Sequence, residues 1–209
     1  MNFAFVGIDV GIENFATLST GEVVENPEFL RESAAELKTA QRKVSRRGDK
    51  RSNRRRKAIK HLAKKHRRVQ RQRADFHHKT ALNLVREFDR IAVEDLNVCG
   101  MVKNHGLAKS ISDAGWSQFT SILTGKAANA GREVIKVNPS YTSQDCSKCG
   151  SRVRKTLATR EHRCVSCGFV AHRDHNAAIN IQQRGALASG MGDGARVNRE
   201  SPTITRPRV

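Results

Sequence analysis

The chain has 209 residues and a formal net charge of +19, from 39 lysines and arginines against 20 aspartates and glutamates. This length suits one domain of ordinary size plus a small appendage, and so positive a chain favours a polyanionic partner, above all nucleic acid. It has neither an 18-residue apolar run nor a signal-peptide pattern, so we expect that it neither spans a membrane nor is secreted. Its aromatic content of 5% favours contact with phosphates over stacking on bases.

The first predicted element is a strand over residues 2–10, which are apolar and β-prone and end beside an acid, Asp9. Residues 15–19 and 22–24 flank a turn and predict a short hairpin that continues the same sheet. An acid at the end of a buried strand suits a functional site, although a turn-capping role for Asp9 remains an alternative.

Two strongly basic helices follow, predicted over residues 30–43 and 53–87 with an interruption near Gly48. Between Lys38 and Arg73 there are 18 lysines or arginines and one acid. Like charges four residues apart repel one another on a helix, and a bound phosphate backbone would relieve that repulsion. We therefore predict a basic helical hairpin along RNA or DNA, with a merely solvated helix face as the alternative.

The second strand of interest, residues 90–96, also places an acid, Glu94, near its end. A long helical excursion between two strands is what a parallel crossover requires. Parallel neighbours would set Asp9 and Glu94 side by side. Asp95 is predicted to point to the opposite face, which makes it the natural control.

Residues 97–112 are predicted to form a polar loop, with Cys99 as a buried or half-buried thiol. A helix capped by Ser112 and Asp113 is then expected to run to about Asn129. Its predicted core residues are Trp116, Phe119, Ile122 and Leu123, and a strand over 133–137 follows.

Four cysteines then form two C-x-x-C pairs separated by 14 residues, namely Cys146, Cys149, Cys164 and Cys167. Two such pairs can surround one tetrahedral Zn²⁺ and leave no open coordination position, so the predicted site is structural and not catalytic. Two disulfides are the less favoured alternative, because paired C-x-x-C motifs in a chain without a secretion signal usually bind metal.

A third acid, Asp174, stands seven residues after the last cysteine, at the start of a predicted helix that ends near residue 184. A helix N-cap is the alternative role for it. Clustered carboxylates repel unless they share divalent cations, and two Mg²⁺ about 4 Å apart can activate water and stabilise the leaving oxygen of a phosphodiester. Asp9, Glu94 and Asp174 beside a basic groove therefore indicate a nuclease.

Several motifs in the right order resemble the TnpB family of transposon-encoded, RNA-guided endonucleases. They are GIDVGIENFATLSTG at 7–21, VEDLN at 93–97, VNPSYTSQDCSKCG at 137–150, CVSCG at 164–168 and HRDHNAAINI at 172–181. The resemblance implies an α/β fold, an RNase H-like (RuvC) mixed sheet with a long basic helical hairpin and an inserted four-cysteine zinc ribbon. It also implies that Asp9, Glu94 and Asp174 are the catalytic acids and hold Mg²⁺, and that the four cysteines hold structural Zn²⁺.

The expected division of the chain follows from this resemblance: a nuclease core at 1–139 including the hairpin at 28–88, a zinc ribbon at 140–172, a last core helix at 173–184 and a disordered tail at 185–209. The resemblance covers the C-terminal half of the family, so we expect the usual N-terminal domains to be lacking. The implied partners are a DNA substrate and a guide RNA from the transposon end, in a cytoplasmic, nucleoid-associated prokaryotic protein. A non-catalytic RNA- or DNA-binding remnant that regulates the transposon is the alternative.

Overall fold

The computed structural model describes residues 4–156 and 158–190. Within them the fold is mixed α/β. The strands are β1 (Phe5–Val10), β2 (Asn14–Leu18), β3 (Val23–Glu25), β4 (Arg90–Glu94), β5 (Glu133–Val137), β6 (Glu161–Arg163) and β7 (Val170–His172). The helices are α1 (Phe29–Ser45), α2 (Asn53–Glu87), α3 (Val98–Met101), α4 (Ala108–Ala114), α5 (Trp116–Asn129) and α6 (Arg173–Ala188).

Five of the strands form one mixed sheet in the order β3-β2-β1-β4-β5. β1 pairs antiparallel with β2, and β2 pairs antiparallel with β3. β4 pairs parallel with both β1 and β5. The prediction of a parallel crossover between the strands that end near Asp9 and Glu94 is confirmed, and α1 and α2 form that crossover.

Helices cover both faces of the sheet. On one face α2 and α5 build the main core with Val6 and Ile8 of β1, and the predicted core residues Trp116, Phe119 and Leu123 are all buried there. On the other face α6 packs against β1, β4 and β5, where Ile181 is fully buried. The sheet thus separates a large core from a smaller one beneath α6.

The backbones of α6 and the sheet approach unusually closely at two glycines. A Cβ atom on Gly7 would lie 2.2 Å from the Ala178 carbonyl oxygen and 2.4 Å from the Gln182 nitrogen. A Cβ atom on Gly185 would lie 2.6 Å from the Ala92 Cβ atom. Because only glycine permits such contact, these positions fix the height of α6 above the sheet.

The segment predicted as a loop at 97–112 instead contains α3 and α4, and Ser112 and Asp113 do not cap α5. Gly115 separates α4 from α5. Its φ angle of 64° is one that glycine adopts without strain. The Asp113 carboxylate instead accepts hydrogen bonds from the Leu30 backbone N–H at 3.0 and 3.1 Å, and so caps α1 from a distance in sequence. Cys99 is exposed, so its predicted burial is wrong.

The basic helices α1 and α2 pack against each other. Ser52 is the N-cap of α2 and accepts a hydrogen bond from the Arg55 N–H, while the Arg55 guanidinium donates to the carbonyls of Val44 and Arg47. In the part of the chain that the structure describes, no helix is long and apolar enough to cross a membrane.

The last helix continues four residues beyond its predicted end, to Ala188. The first residues of the predicted disordered tail therefore belong to α6. Ser189 and Gly190 follow the helix, and residues 191–209 of that tail lie outside the described residues.

Candidate functional site

The three predicted acids meet at one edge of the sheet. Asp9 lies near the C-terminal end of β1, and Glu94 ends β4. The register pairs Ile8 with Val93, so Asp9 and Glu94 come next on neighbouring parallel strands. Asp174 is the second residue of α6, which packs over both strands.

The charges of these acids act on one another. Burial raises the pKa of Asp9 well above its ordinary value, and the negative charges of Glu94 and Asp174 raise it further, whereas the positive charge of Arg173 opposes the change. A carboxylate among two others is costly unless a cation balances it. The negative potential of the three acids therefore favours binding of a cation at this edge of the sheet.

Glu94 has a specific hydrogen-bond donor. Burial raises its pKa, while the hydrogen bond from Thr142 and the positive charge of Arg184 lower it. The Thr142 hydroxyl donates to Glu94 Oε1 at 2.5 Å. This contact keeps one carboxylate oxygen in a defined direction, because a hydrogen bond to an ionised acceptor is strong.

Asp174 is held at the N-terminus of α6 and is 8% exposed. Its backbone N–H donates to His172 Nδ1 at 3.3 Å, so His172 and not Asp174 is the N-cap of the helix. Arg173 Nε lies 3.4 Å from Asp174 Oδ1. The Asp174 carboxylate therefore does not cap the helix and lies instead beside the side chains of Arg173 and His172.

The control acid behaves differently. Asp95 is exposed and its Oδ1 lies 3.3 Å from Lys136 Nζ, on the side of the strand away from Glu94. The structure thus places Asp9, Glu94 and Asp174 at one end of the sheet, where the charges of Glu94 and Asp174 act on Asp9, and leaves Asp95 on the opposite face of β4.

The four predicted zinc ligands form a separate cluster, in which all four sulfur atoms lie within 4.8 Å of one another. Cys146 Sγ lies 3.7 Å from Cys167 Sγ, and Cys149 Sγ lies 3.6 Å from Cys164 Sγ. A disulfide needs about 2.0 Å between sulfurs, whereas four thiolates about 2.3 Å from a tetrahedral Zn²⁺ lie about 3.8 Å apart. The donor set and its spacing therefore fit zinc and not two disulfides.

Polar side chains on α6 connect this cluster to the acids. Asn176 Nδ2 and Asn180 Nδ2 donate to the Asp145 carbonyl at 2.8 and 2.7 Å, and Asn180 Nδ2 also lies 2.8 Å from the Thr142 carbonyl. The Arg184 guanidinium donates to the Asn138 and Ser140 carbonyls. One face of α6 thus holds the whole segment that leads into the first cysteine pair, the ribbon-entry segment (residues 138–147).

The motifs did not predict these positioning residues. The available signal was the four-residue spacing of Asn176, Asn180 and Arg184, which places them on one helix face. Thr142 carries no comparable signal, because its partner Glu94 is 48 positions away in sequence.

A second charged feature lies on α2. Four exposed cations follow one face of the helix at intervals of three and four residues, and we call them the basic stripe: Lys64, Arg67, Arg68 and Arg71. Within the described ranges none of the four forms an ion pair, whereas Lys65 beside them pairs with Glu36. Such a row of unbalanced charge suits a phosphate backbone.

Two family models match the chain. Residues 2–105 match the OrfB_IS605 family, described as a probable transposase. Residues 116–181 match the TNB domain of the Cas12f1-like family. The two matches together include all three acids and all four clustered cysteines.

The chain is similar to curated proteins over nearly all of its length. A Streptomyces pristinaespiralis protein, named as a candidate RNA-guided DNA endonuclease, is 44% identical over 208 residues, or 99% of this chain and 51% of the relative. Escherichia coli K12 InsQ, named in the same way, is 32% identical over 219 residues, or 96% of this chain and 54% of the relative. The chain spans about half the length of these curated relatives.

Solved structures share the fold. A cryo-EM structure of a Cas12f1-sgRNA-target DNA complex matches 85% of this chain and 49% of that chain, with a TM-score of 0.60 at 20% identity. A CRISPR-Cas12f ternary complex matches 85% of this chain and 38% of that chain, with a TM-score of 0.62 at 18% identity.

Proposed function

Because this chain belongs to the TnpB family, we propose that it is a divalent-metal-dependent DNA endonuclease, directed by a guide RNA from the end of an insertion-sequence transposon. The names of the two relatives support this activity. The likeness to Cas12f supports a RuvC-like, RNase H-type nuclease domain. In this proposal 1–139 and the helix from 173 form the nuclease core, and 140–172 form an inserted zinc ribbon.

The observation that carries the proposal is the location of Asp9, Glu94 and Asp174 at one sheet edge, where burial and then the charges of Glu94 and Asp174 raise the pKa of Asp9. Carboxylate oxygens are the donors that Mg²⁺ prefers, so these three residues would hold it. When bound, a pair of Mg²⁺ ions supplies water activation and stabilisation of the leaving oxygen in phosphodiester hydrolysis.

The chain's own residues set the geometry for that chemistry. Thr142 orients one oxygen of Glu94, and α6 carries Asp174 onto the same edge. Arg173 places a positive charge beside Asp174, where it can balance the charge of a bound phosphate. Asp9 and Glu94, the two acids on strands of the sheet, are half-buried, so fewer water molecules can reach their carboxylates.

The cysteine cluster has a structural role in this proposal. A closed four-thiolate zinc site offers no position to a substrate, but its binding energy contributes to folding. The ribbon-entry segment joins this cluster to Thr142 and therefore to Glu94. Zinc thus stabilises the support of the catalytic acids.

The basic stripe is the proposed contact for the guide RNA or the DNA backbone. A row of exposed lysine and arginine side chains on one helix face can follow successive phosphates without reading their sequence. In this arrangement the sequence of the target is read by base pairing to the RNA, and the chain supplies charge and catalysis.

The test is plasmid cleavage in Mg²⁺ by the protein expressed with its flanking transposon-end RNA, with the co-purified RNA sequenced. Glu94→Ala should reduce cutting at least about 100-fold, since changes outside the ligand sphere already cost 10- to 100-fold. Asp95→Ala is the matched control and should cut like the wild type, because Asp95 pairs with Lys136 on the other face. Equal loss in both variants would contradict the assignment.

A second candidate function is a binding protein that regulates the transposon without cutting. The basic stripe favours it, because unbalanced cations bind nucleic acid whether or not the acids are active. Strong salt-dependent RNA binding without any Mg²⁺-dependent cutting would support this candidate against the nuclease.

A further inference from the structure

Tyr141 is an exposed aromatic residue in a chain that has few. Among the described residues it is the exposed member of the phenylalanine, tyrosine and tryptophan set, with 51% of its surface accessible. The tryptophan, Trp116, is buried at 4% exposure. An exposed ring on a basic protein offers what phosphate contacts lack, a flat apolar surface.

The backbone of Tyr141 is strained. Its φ angle of 65° lies in the left-handed region, which bulky residues rarely adopt. The strain is maintained by two hydrogen bonds to the Tyr141 carbonyl, from the backbone N–H groups of Gln144 and Asp145, both at 2.9 Å. A side chain kept in such a conformation where glycine would fit better is typical of a functional position.

One face of the Tyr141 ring is already occupied. The Arg152 guanidinium lies 3.6 Å from the ring centroid, and its Nε donates to Asp145 Oδ1 at 2.9 Å. The other oxygen of Asp145 accepts from Arg184 at 3.2 Å. Since Arg152 supports the ring from one side and half of the residue is still exposed, the opposite face is available to a ligand.

Tyr141 adjoins a residue that contacts one of the three acids. Tyr141 directly precedes Thr142, whose hydroxyl donates to Glu94. Thr142 is 4% exposed, whereas the neighbouring Tyr141 side chain is open to solvent. A base on the free face of Tyr141 would therefore belong to a strand that passes along the surface beside the contact between Thr142 and Glu94.

We propose that the free face of Tyr141 stacks on a nucleobase of the single DNA strand that enters the active site, with Arg152 as the support behind the ring. This inference rests on the proposed function, because it uses the position of Glu94 to choose DNA as the ligand. Stacking does not depend on base identity, so the contact fixes the position of the strand without adding sequence preference. It would add a stacking contact to the phosphate contacts that the low aromatic content favours.

The experiment compares two oligonucleotides that carry the same charge. A fluorescein-labelled dT12 and a 12-mer with the same backbone but only abasic sites are titrated by anisotropy into the full chain carrying Glu94→Gln, which prevents cutting and keeps an oxygen for Thr142. This protein should bind dT12 about tenfold more tightly than the abasic strand, as expected for one stacked base. Adding Tyr141→Leu should bring the two affinities to within about twofold, whereas Tyr141→Phe should preserve the difference.

Controls separate stacking from folding. Tyr141→Gly should melt at or above the wild-type temperature, since glycine adopts positive φ freely, yet should lose the preference for bases. Val165→Ala, on a residue that is 91% exposed in the ribbon, should change neither affinity. An equal preference for bases in the proteins with and without Tyr141→Leu would overturn the proposal.

A third oligonucleotide, U12, tests the choice of strand. If Tyr141→Leu weakened U12 about tenfold and left dT12 unchanged, the ring would contact RNA and the assignment to the DNA strand would be wrong. These binding measurements require no cleavage. Failure of the nuclease proposal would appear as the absence of Mg²⁺-dependent cutting by the wild type, and failure of the stacking proposal as unchanged oligonucleotide preference.

Discussion

Besides the three acids, an uncharged side chain, that of Thr142, shapes the edge of the sheet where they lie. Thr142 lies 2.5 Å from one oxygen of Glu94, and its own carbonyl accepts from Asn180 at 2.8 Å. The hydroxyl is thus placed by α6, the same helix that carries Asp174. A single residue here connects the positions of two of the three carboxylates.

We predict that Thr142→Val lowers the cutting rate about 10- to 100-fold, the range for residues that orient a metal ligand. Valine has the shape of threonine without the donor, so the pKa of Glu94 would rise. A higher pKa delays ionisation, and the acidic limb of the pH–rate profile should move to higher pH. Thr142→Ser should restore both rate and profile, and a slow variant with an unmoved profile would speak against this role.

Asp9 should cost the protein stability when metal is absent. Its pKa is raised in the folded state, so the folded protein holds a proton that the unfolded chain releases. The associated stability is present below the ordinary pKa of an aspartate and is lost as pH rises through the raised value. Above the raised pKa of Asp9 the ionised carboxylate therefore destabilises the folded state.

Asp9→Asn should consequently melt higher than the wild type at pH 8 in metal-free buffer. A gain of about 1 kcal/mol would raise Tm by about 2–4 °C for a chain of this size. Added Mg²⁺ should raise the Tm of the wild type more than that of the variant, as calorimetry can show. A variant that melts lower than the wild type in metal-free buffer would mean that Asp9 is stabilised by its surroundings and is not a vacant ligand.

Residues at strand ends were predictable, and residues that act across the chain were not. The alternation of β1 and β4 and the helical crossover between them place Asp9 and Glu94 together by local rules. Thr142 and Asp113 find their partners only after folding, and no local pattern announces a hydrogen bond over 48 or 83 positions.

The position of α6 over the sheet is tightly constrained. Its N-terminal turn carries Asp174, and its middle contacts the sheet so closely that Gly7 admits no side chain. Any change in its height over the sheet would move Asp174 relative to the other two acids. The packing of α6 on the sheet therefore determines the position of the Asp174 carboxylate.

Gly7→Ala tests whether cutting depends on the height of α6 above the sheet. The added methyl would lie 2.2 Å from the Ala178 carbonyl oxygen, so α6 must move, and both stability and cutting should fall. Gly125→Ala is the control, because nothing lies within 4 Å of its Cβ position in α5 and alanine should stabilise the helix by up to about 1 kcal/mol. Thermal unfolding and cleavage are measured together. Unchanged cutting in Gly7→Ala would show that the height of α6 is not critical.

The basic stripe on α2 makes its own prediction. Replacing any one of its four cations by glutamine should reduce the slope of log affinity against log salt by about 0.7 for single-stranded RNA, the value for one lost phosphate contact. Lys79→Gln is the matched control on the same helix, since Lys79 already pairs with Asp75 at 2.8 Å. Anisotropy over a range of salt concentrations measures the slopes, and equal changes at all five sites would contradict a specific stripe.

Helix existence followed from periodicity, but helix boundaries between 97 and 116 did not. The prediction read Asp113 as an N-cap because it precedes an apolar repeat, whereas the folded chain uses it to cap α1. Gly115 separates the two helices where the chain packs against α2. A Cβ atom added to Gly115 would lie 3.2 Å from side-chain carbons of both Arg73 and His77. The packing of α2 decided this boundary, and packing is not visible in a local window.

For the molecule as a whole, zinc should couple the ribbon to catalysis. Removing it with a chelator, or replacing Cys149 by serine, should unfold β6 and β7, loosen the ribbon-entry segment and abolish cutting at saturating Mg²⁺. Cys99→Ser is the control, because Cys99 is exposed and lies outside the cluster. Circular dichroism and cleavage are followed with metal analysis. Cutting that persists after complete zinc loss would make the ribbon dispensable.

The position of α6 at the far end of the fold also orders events during synthesis. A growing chain emerges with Asp9 first, and Asp174 follows 165 positions later. At about 5–20 residues per second, roughly 8–33 seconds separate the two, and domains form in that same direction on the ribosome. A nascent chain therefore carries an incomplete set of the three carboxylates until the ribbon and α6 have been made, and under the proposed function such an unfinished chain should not cut DNA.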